Sequence, residues 1–304
     1  MTLTFIYLTA RGLFPMPGAL GQYDILAQCL AEQTFTDYET IIVDRHNTLP
    51  RPEIELAVRK SSGGVRFLRP RMTPWTRIGA FAPNAARNTA LCYARGETIV
   101  GIDDCYVFGP HYFERIAELA SERKYTVAKL SQVDNSVAYP QRPNGPFPAD
   151  QYGGGITSYP LAAAIAVNGW DERFDGGSGG DVDFFARLRL YGGEFVTDEA
   201  VAVVGHWDGG RTLALPRCDR LSIELGVRRR KAGALRANES WTAEEILAWK
   251  HCGRSASPRI CKVSGFACDY KDTEPADITA LREQYETKPW FNLAEERRKN
   301  GLLT

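Results

Sequence analysis

The sequence predicts an α/β protein: a mostly parallel sheet with helices on both faces, followed by a mainly helical C-terminal extension. Three observations carry that prediction. Short β-branched apolar runs alternate with segments of helical period through the first two-thirds of the 304 residues. Two of those runs stop on acids, Asp44 in one and the pair Asp103–Asp104 in the other, where the carboxyl ends of parallel strands would gather a ligand. Beyond about residue 209 the alternation gives way to basic and polar segments without repeats. We therefore divide the chain at 1–208 and 209–304, the second part packing on the first.

The elements follow in order. TFIYLTA (4–10) is the first strand, and DILAQCLAEQ sets Leu26 and Leu30 one helical turn apart. YETIIVD (38–44) is the second strand and GVRFLRP (64–70) a short third. NAARNTALCYARG places Ala85, Ala86, Ala90 and Ala94 at helical intervals and stops at Gly96. ETIVGIDD is the fourth strand. HYFERIAELASERK (111–124) predicts a helix and YTVAKLSQV (125–133) a strand. AYPQRPNGPFPADQYGGG (138–155) is dense in Pro and Gly and reads as loop. LAAAIAVNGW is a compact helix ending at Gly169. DVDFFARLRLYGG is a helix with Phe184, Phe185, Leu188 and Leu190 on or near its buried side, and FVTDEAVAVVGHW a late strand leading to His206. Further helical stretches fall near 241–250 and 275–286.

Composition removes several classes. Lys plus Arg number 37 and Asp plus Glu number 37, so no global field draws the chain to nucleic acid or a membrane surface. No apolar stretch approaches the ~18 residues of a membrane span, and MTLTFIYLTARG reads as the first strand of a cytoplasmic protein, not as a leader. The seven cysteines are odd in number and irregularly spaced, which predicts reduced thiols. His251, Cys252, Cys261 and Cys268 could clip zinc but lack a close CxxC pair. The basic run Arg228–Lys231 reads first as a solvated helix face and second as a contact for a polyanion or DNA.

Three blocks, in order, resemble family 2 glycosyltransferases of the GT-A fold. LAQCLAEQTFTDYETIIVD resembles that family's first helix and second strand with its terminal Asp. APNAARNTALCYARGETIVGIDDC resembles Arg-Asn, a helix, Ala-x-Gly-Glu, a strand and Asp-x-Asp. VNGWDERFDGGSGGDVDFFARLRLYGG resembles Gly-Gly-Phe-Asp-Glu followed by Glu-Asp-x-Asp on a helix. Together the blocks span about residues 3–206. The resemblance implies an inverting transferase that moves a sugar from a nucleotide-diphosphate donor, UDP-sugars favoured, to a hydroxyl acceptor such as a saccharide, a lipid-linked glycan or a hydroxymethylated nucleic-acid base.

It also implies roles for particular residues. Asp44, Thr9 and Arg11 would line the nucleotide pocket, and Asp103 would reach ribose or metal. Arg87 would contact the diphosphate or orient the Asp103–Asp104 pair, its planar fork suiting either. A divalent cation, Mn²⁺ or Mg²⁺, would neutralise the departing diphosphate. Cys105 stands where the family has its last acid, and thiolate is a poor partner for such hard ions. So either Asp104 takes over as metal ligand, with His206 completing the shell, or the cation is held weakly or not at all. Asp181 would be the general base that takes the acceptor's proton, although GGSGGD is also a natural helix entrance that Asp181 could cap. Gly180 replaces the family's Glu before it, and Asp183 is the second candidate base. Gly154 and Gly155 would let the backbone approach the sugar, and Trp170, Asp171 and Glu172 would form the acceptor wall. A catalytically decayed binder of sugar nucleotides or glycans is the alternative, motivated by Cys105 and Gly180. A nucleotidyltransferase would show a Gly-rich basic loop after the first strand, which RGLFPMPGALGQ does not match.

Overall fold

The computed structural model describes residues 1–9, 21–45, 50–73, 76, 82–104, 106–120, 124–132, 155–175, 179–205, 233, 235–238 and 291–302. Several expectations fall outside these residues: Arg11, Cys105, Gly154, His206, the basic run Arg228–Lys231, the His251/Cys252/Cys261/Cys268 group, and the helices near 241–250 and 275–286.

The main sheet has seven strands. In chain order they are β1 (Leu3–Thr9), β2 (Tyr38–Asp44), β3 (Val65–Leu68), β4 (Thr98–Asp103), β6 (Lys124–Val127), β8 (Ile156–Pro160) and β9 (Glu194–Val196). Their spatial order is β3-β2-β1-β4-β8-β6-β9. β8 runs antiparallel to both of its neighbours, while the other four pairings are parallel. A small second sheet joins β5 (Tyr106–Phe108), β10 (Ala202–Gly205) and β7 (Lys129–Gln132), in that order. The mixed, mostly parallel sheet flanked by helices is the one the alternating pattern predicts.

Two apolar cores lie on opposite faces, because successive side chains of a strand point to opposite sides. Ile6, Ile41, Val43, Ile99 and Tyr159 pack under α3 (Pro83–Tyr93), α5 (Leu161–Ala166), α6 (Gly180–Leu190) and α7 (Leu293–Lys299). Phe5, Tyr7, Ile42, Val100 and Ile102 pack against α1 (Gln22–Ala31), α2 (Pro52–Ala57) and α4 (Tyr112–Leu119). The alanines of α3 let its backbone lie close to the sheet; every residue from Asn84 to Cys92 is buried.

Four expectations differ from the structure. The predicted strand 125–133 is two strands, separated at Ala128 and lying in different sheets. The predicted late strand 195–207 is likewise divided, because residues 197–201 form a turn in which Asp198 accepts hydrogen bonds from Ala200 N–H and Arg115. The predicted helix 111–124 stops at Leu119, and Lys124 already belongs to β6. Leu190, expected near the core, sits at the last turn of α6 and is exposed.

Polar groups fix the C-terminal segments onto this body. Arg297 of α7 donates to the carbonyls of Leu91 and Ala94 at 2.6 and 2.7 Å, satisfying acceptors at the end of α3 that have no helical partner. Among the described residues no helix is long and apolar enough to cross a membrane.

Candidate active site

Strand register levels the acids. Thr9 lies beside Asp44 across the β1–β2 ladder, and Leu8 beside Asp103 across β1–β4. The carboxyl ends of three parallel strands therefore finish together, the place where open α/β sheets bind ligands. Asp44 is buried and accepts a hydrogen bond from Tyr23 Oη of α1 at 2.6 Å. Burial first, then that bond to a carboxylate, pushes the Tyr23 hydroxyl well above its ordinary pKa, so it remains a donor. Thr9 Oγ1 donates to Asp104 Oδ2 at 2.7 Å and accepts from Gln22 Nε2 at 3.1 Å. α1 thereby reaches Asp44 directly and Asp104 through Thr9.

β8 approaches the same point from the other side. Its pairing sets Ile156 opposite Ile102, which leaves Gly155 against Asp103. A Cβ on Gly155 would stand 2.6 Å from Asp103 Oδ2, so only glycine allows this close approach.

Arg87 ties the acids together. It projects from α3, donates to both oxygens of Asp103 at 3.3 Å, and donates to Asp181 Oδ1 at 3.4 Å. Its guanidinium lies over the Trp170 ring, 4.4 Å from the centroid. Burial works to strip its proton, but the fields of Asp103 and Asp181 outweigh it and hold its pKa above the ordinary value. The Arg87 side chain is 8% exposed, whereas Asp103 is 35% and Asp181 46% exposed. Arg87 thus holds Asp103 and Asp181 from beneath, and Asp103 faces a small cleft. That cleft is lined by Arg87, Asp103, Thr157, Tyr159 and Trp170 over the apolar floor of β1 and β4.

Asp103 carries a pKa of about 6, raised chiefly by burial, opposed by Arg87, and raised further by Asp181 and Asp104. The folded protein thus keeps a proton between about pH 4 and 6 that the unfolded chain has released, and Asp103 destabilises the fold as pH rises through that window. Partial exposure screens the effect to about 1 kcal/mol. Urea denaturation at a series of pH values should show Asp103→Asn gaining about that much on wild type between pH 4 and 6.5. Parallel stability curves for the two proteins would contradict this assignment.

The third predicted block divides between site and scaffold. Asp181 opens α6 behind Gly179, whose φ of +93° turns the chain into the helix. Gly180 fits for a local reason: a Cβ there would meet the Asn84 side-chain amide at 2.7 Å, so a larger residue would require that side chain to move. Asp183 points away from the cleft; it is buried and accepts from Arg187 Nε at 2.7 Å. The ring of Trp170 reaches the cleft, stacked at 4.0 Å on Phe184. The carboxylates of Asp171 and Glu172 turn inward instead. Asp171 is held by Arg173 at 2.7 and 2.9 Å, and Glu172 by Arg71 and by Asn88 Nδ2 at 2.8 Å.

One contributor escaped the sequence reading. Asp175 accepts from the N–H groups of Asn84 and Ala85 at 2.8 and 2.9 Å, capping α3 one turn before Arg87. Its side chain is buried, and burial followed by the nearby Glu172 raises its pKa well above the carboxylate range. A helix start at APNAAR with no capping side chain of its own was the available signal.

Among the described residues no three His, Cys, Asp or Glu side chains converge as a preformed cage. Asp103 is engaged by Arg87, but Asp104 presents a hard carboxylate at the strand ends, accepting from Thr9 through Oδ2. One or two carboxylates completed by substrate phosphates is a common way to hold Mg²⁺ or Mn²⁺. The donor set fits a cation that enters with a diphosphate.

With this geometry in place, comparison with known proteins gives a consistent class. Residues 21–158 match the model of glycosyl transferase family 2. TarS of S. aureus is similar in structure, with a TM-score of 0.54 and 18% identity over 86% of this chain. This chain spans only 46% of that TarS chain. TarS 1–349 in complex with UDP gives a TM-score of 0.53 and 14% identity, covering 99% of this chain and 92% of that one. TarS 1–349 alone gives 0.52 and 16% identity, covering 100% and 83%. No curated protein matches in sequence. The chain has the fold of the family 2 glycosyltransferases.

Proposed function

We propose that the protein is an inverting glycosyltransferase that moves a sugar from a nucleotide-diphosphate donor, a UDP-sugar first, to a hydroxyl acceptor. The observation that supports this most directly is the link from Asp103 through Arg87 to Asp181. It brings a carboxylate from α6 to the strand ends where Asp44 and Asp104 also stand. UDP is favoured because it is the nucleotide in one of the TarS complexes.

In this reading Asp44 and Thr9 hold the nucleotide side, with Tyr23 fixing the Asp44 carboxylate. Asp181, half exposed and paired with Arg87, accepts the proton of the attacking hydroxyl. Arg87 keeps that carboxylate aimed, and attack from its side inverts the anomeric carbon. Asp104 would hold Mn²⁺ or Mg²⁺, which supplies positive charge to the departing diphosphate when bound. The proposed setting is cytoplasmic, in accord with the buried free thiols of Cys29 and Cys92. The proposed acceptors remain a saccharide, a lipid-linked glycan or a hydroxymethylated base.

A thermal-shift screen of nucleotide sugars with and without Mn²⁺ tests the reading. The donor should stabilise the fold by about 2.7 kcal/mol at a hundred times its Kd. No shift with any nucleotide sugar would refute it, and binding without sugar release would support the decayed-binder alternative. Asp104→Ala should remove the Mn²⁺-dependent part of the shift, a loss of at least about tenfold in donor affinity. Equal affinity in variant and wild type would show that Asp104 is not the ligand.

A further inference from the structure

We infer that Asn238, from the C-terminal part of the chain, is a positioning residue of the active site. It holds Trp170, and through Trp170 the guanidinium of Arg87. Asn238 is fully buried and has a left-handed backbone, φ +55°. Its Nδ2 donates to the Trp170 carbonyl at 2.8 Å and to the Asn168 carbonyl at 3.2 Å, while its Oδ1 accepts from Glu172 N–H at 2.8 Å. One side chain thus brackets Trp170 on both sides by its backbone. The opposite flank is bracketed by Asn88, which donates to the same Trp170 carbonyl and accepts from Trp170 N–H, each at 2.8 Å.

Asn88 is the helical neighbour of Arg87, and the Trp170 ring packs on Arg87 itself. The Trp170–Glu172 turn is therefore fixed between α3 and a residue 68 positions further along the chain. Without Asn238 the Trp170 carbonyl and Glu172 N–H lose buried partners, and the turn is free to move away from α3. A shift of Trp170 lifts the surface against which Arg87 lies, and with it the alignment of Asp181.

A second asparagine provides the contrast. Asn168 is also buried and left-handed, φ +61°. Its Nδ2 donates to the carbonyls of Ala237 and Phe291 at 2.7 and 2.8 Å, and its Oδ1 accepts from Leu293 N–H at 2.8 Å. These side-chain bonds attach the C-terminal segments to the body but make no contact with the Trp170–Glu172 backbone. Glycine tolerates both left-handed backbones, so Asn238→Gly and Asn168→Gly each delete an amide without imposing strain.

The full chain carries the test. The kinetic arm rests on the proposed transferase activity. Asn238→Gly should lower kcat about 10- to 100-fold while the donor KM stays within about twofold, because misplacement of the reacting groups costs rate without costing nucleotide contacts. Asn168→Gly should lower the melting temperature yet keep kcat per folded molecule within about threefold. The second arm needs no turnover: exchange of the Trp170 indole proton, which donates to Tyr159 Oη at 3.3 Å, followed by NMR. It should quicken at least about tenfold in Asn238→Gly and not in Asn168→Gly. The inference is overturned if the two variants lose kcat equally, or if Asn238→Gly keeps wild-type kcat. If wild type transfers no sugar, the activity reading falls, and unchanged indole exchange in Asn238→Gly would then overturn the positioning role by itself.

Discussion

Asp181→Asn is expected to lower kcat about a thousandfold, within the range that a lost general base produces. The amide matches the carboxylate in size but cannot take a proton from the acceptor hydroxyl. The fold should survive, because Asp181 is 46% exposed and its ion pair with Arg87 is long, at 3.4 Å. Its melting temperature should therefore move by no more than about 2 °C. Donor affinity should be unchanged, since the nucleotide would lie against Asp44 and Thr9 at the ends of other strands. Steady-state transfer assays beside thermal shifts with UDP-sugars check all three expectations. A variant that keeps a tenth of the wild-type rate would show that the base is elsewhere. Asp183 is a poor substitute, being buried and engaged by Arg187.

Arg87→Met should damage both stability and rate. Methionine conserves much of the volume over Trp170 but leaves Asp103 and Asp181 near each other without a cation between them. Removing one partner of a fully buried pair costs 3–5 kcal/mol, and the partial exposure of both acids reduces this to about 2–3 kcal/mol. The melting temperature should fall by about 5–10 °C. Rate should fall at least about a hundredfold, since Asp181 loses the group that aims it. Arg87→Lys should recover only part of either, because an ammonium cannot serve both oxygens of Asp103 and Asp181 from one planar fork. Adding Asp103→Asn to Arg87→Met should restore stability by removing an uncompensated charge, while rate stays low. If the double variant is less stable than Arg87→Met alone, repulsion between the acids is not what Arg87 relieves.

Much of this site was legible along the chain because strands and helices announce themselves by period. A run such as TIVGIDD must be a strand end if its apolar residues are buried, and its acids must then lie at the carboxyl edge. Asp44, Asp103 and Asp104 were found on that ground. Arg87 was expected from the resemblance of its Arg-Asn block, with its role on the diphosphate or on the acids left open. The divisions of 125–133 and 195–207 were not legible, since a continuous β-branched stretch looks the same whether it serves one sheet or two. Asp171, Glu172 and Asp183 were expected at the site because the resemblance to family 2 glycosyltransferases places an acceptor wall and a base in that block. Their buried partners, Arg173, Arg71 and Arg187, assign them to the scaffold.

The sequence by itself determined the alternation of elements, the two-faced burial of the sheet and the edge at which its acids collect. Those follow from local periodicity, which the order of residues records directly. Only the tertiary structure decided which acid faces Arg87, which glycine must remain without a Cβ, and which distant side chains cap α3 and bracket Trp170. The partners that cap α3, bracket Trp170 and bring Asp181 to Arg87 lie 66 to 94 positions apart. Their pairing depends on how helices and strands pack in space, and no spacing along the chain encodes it.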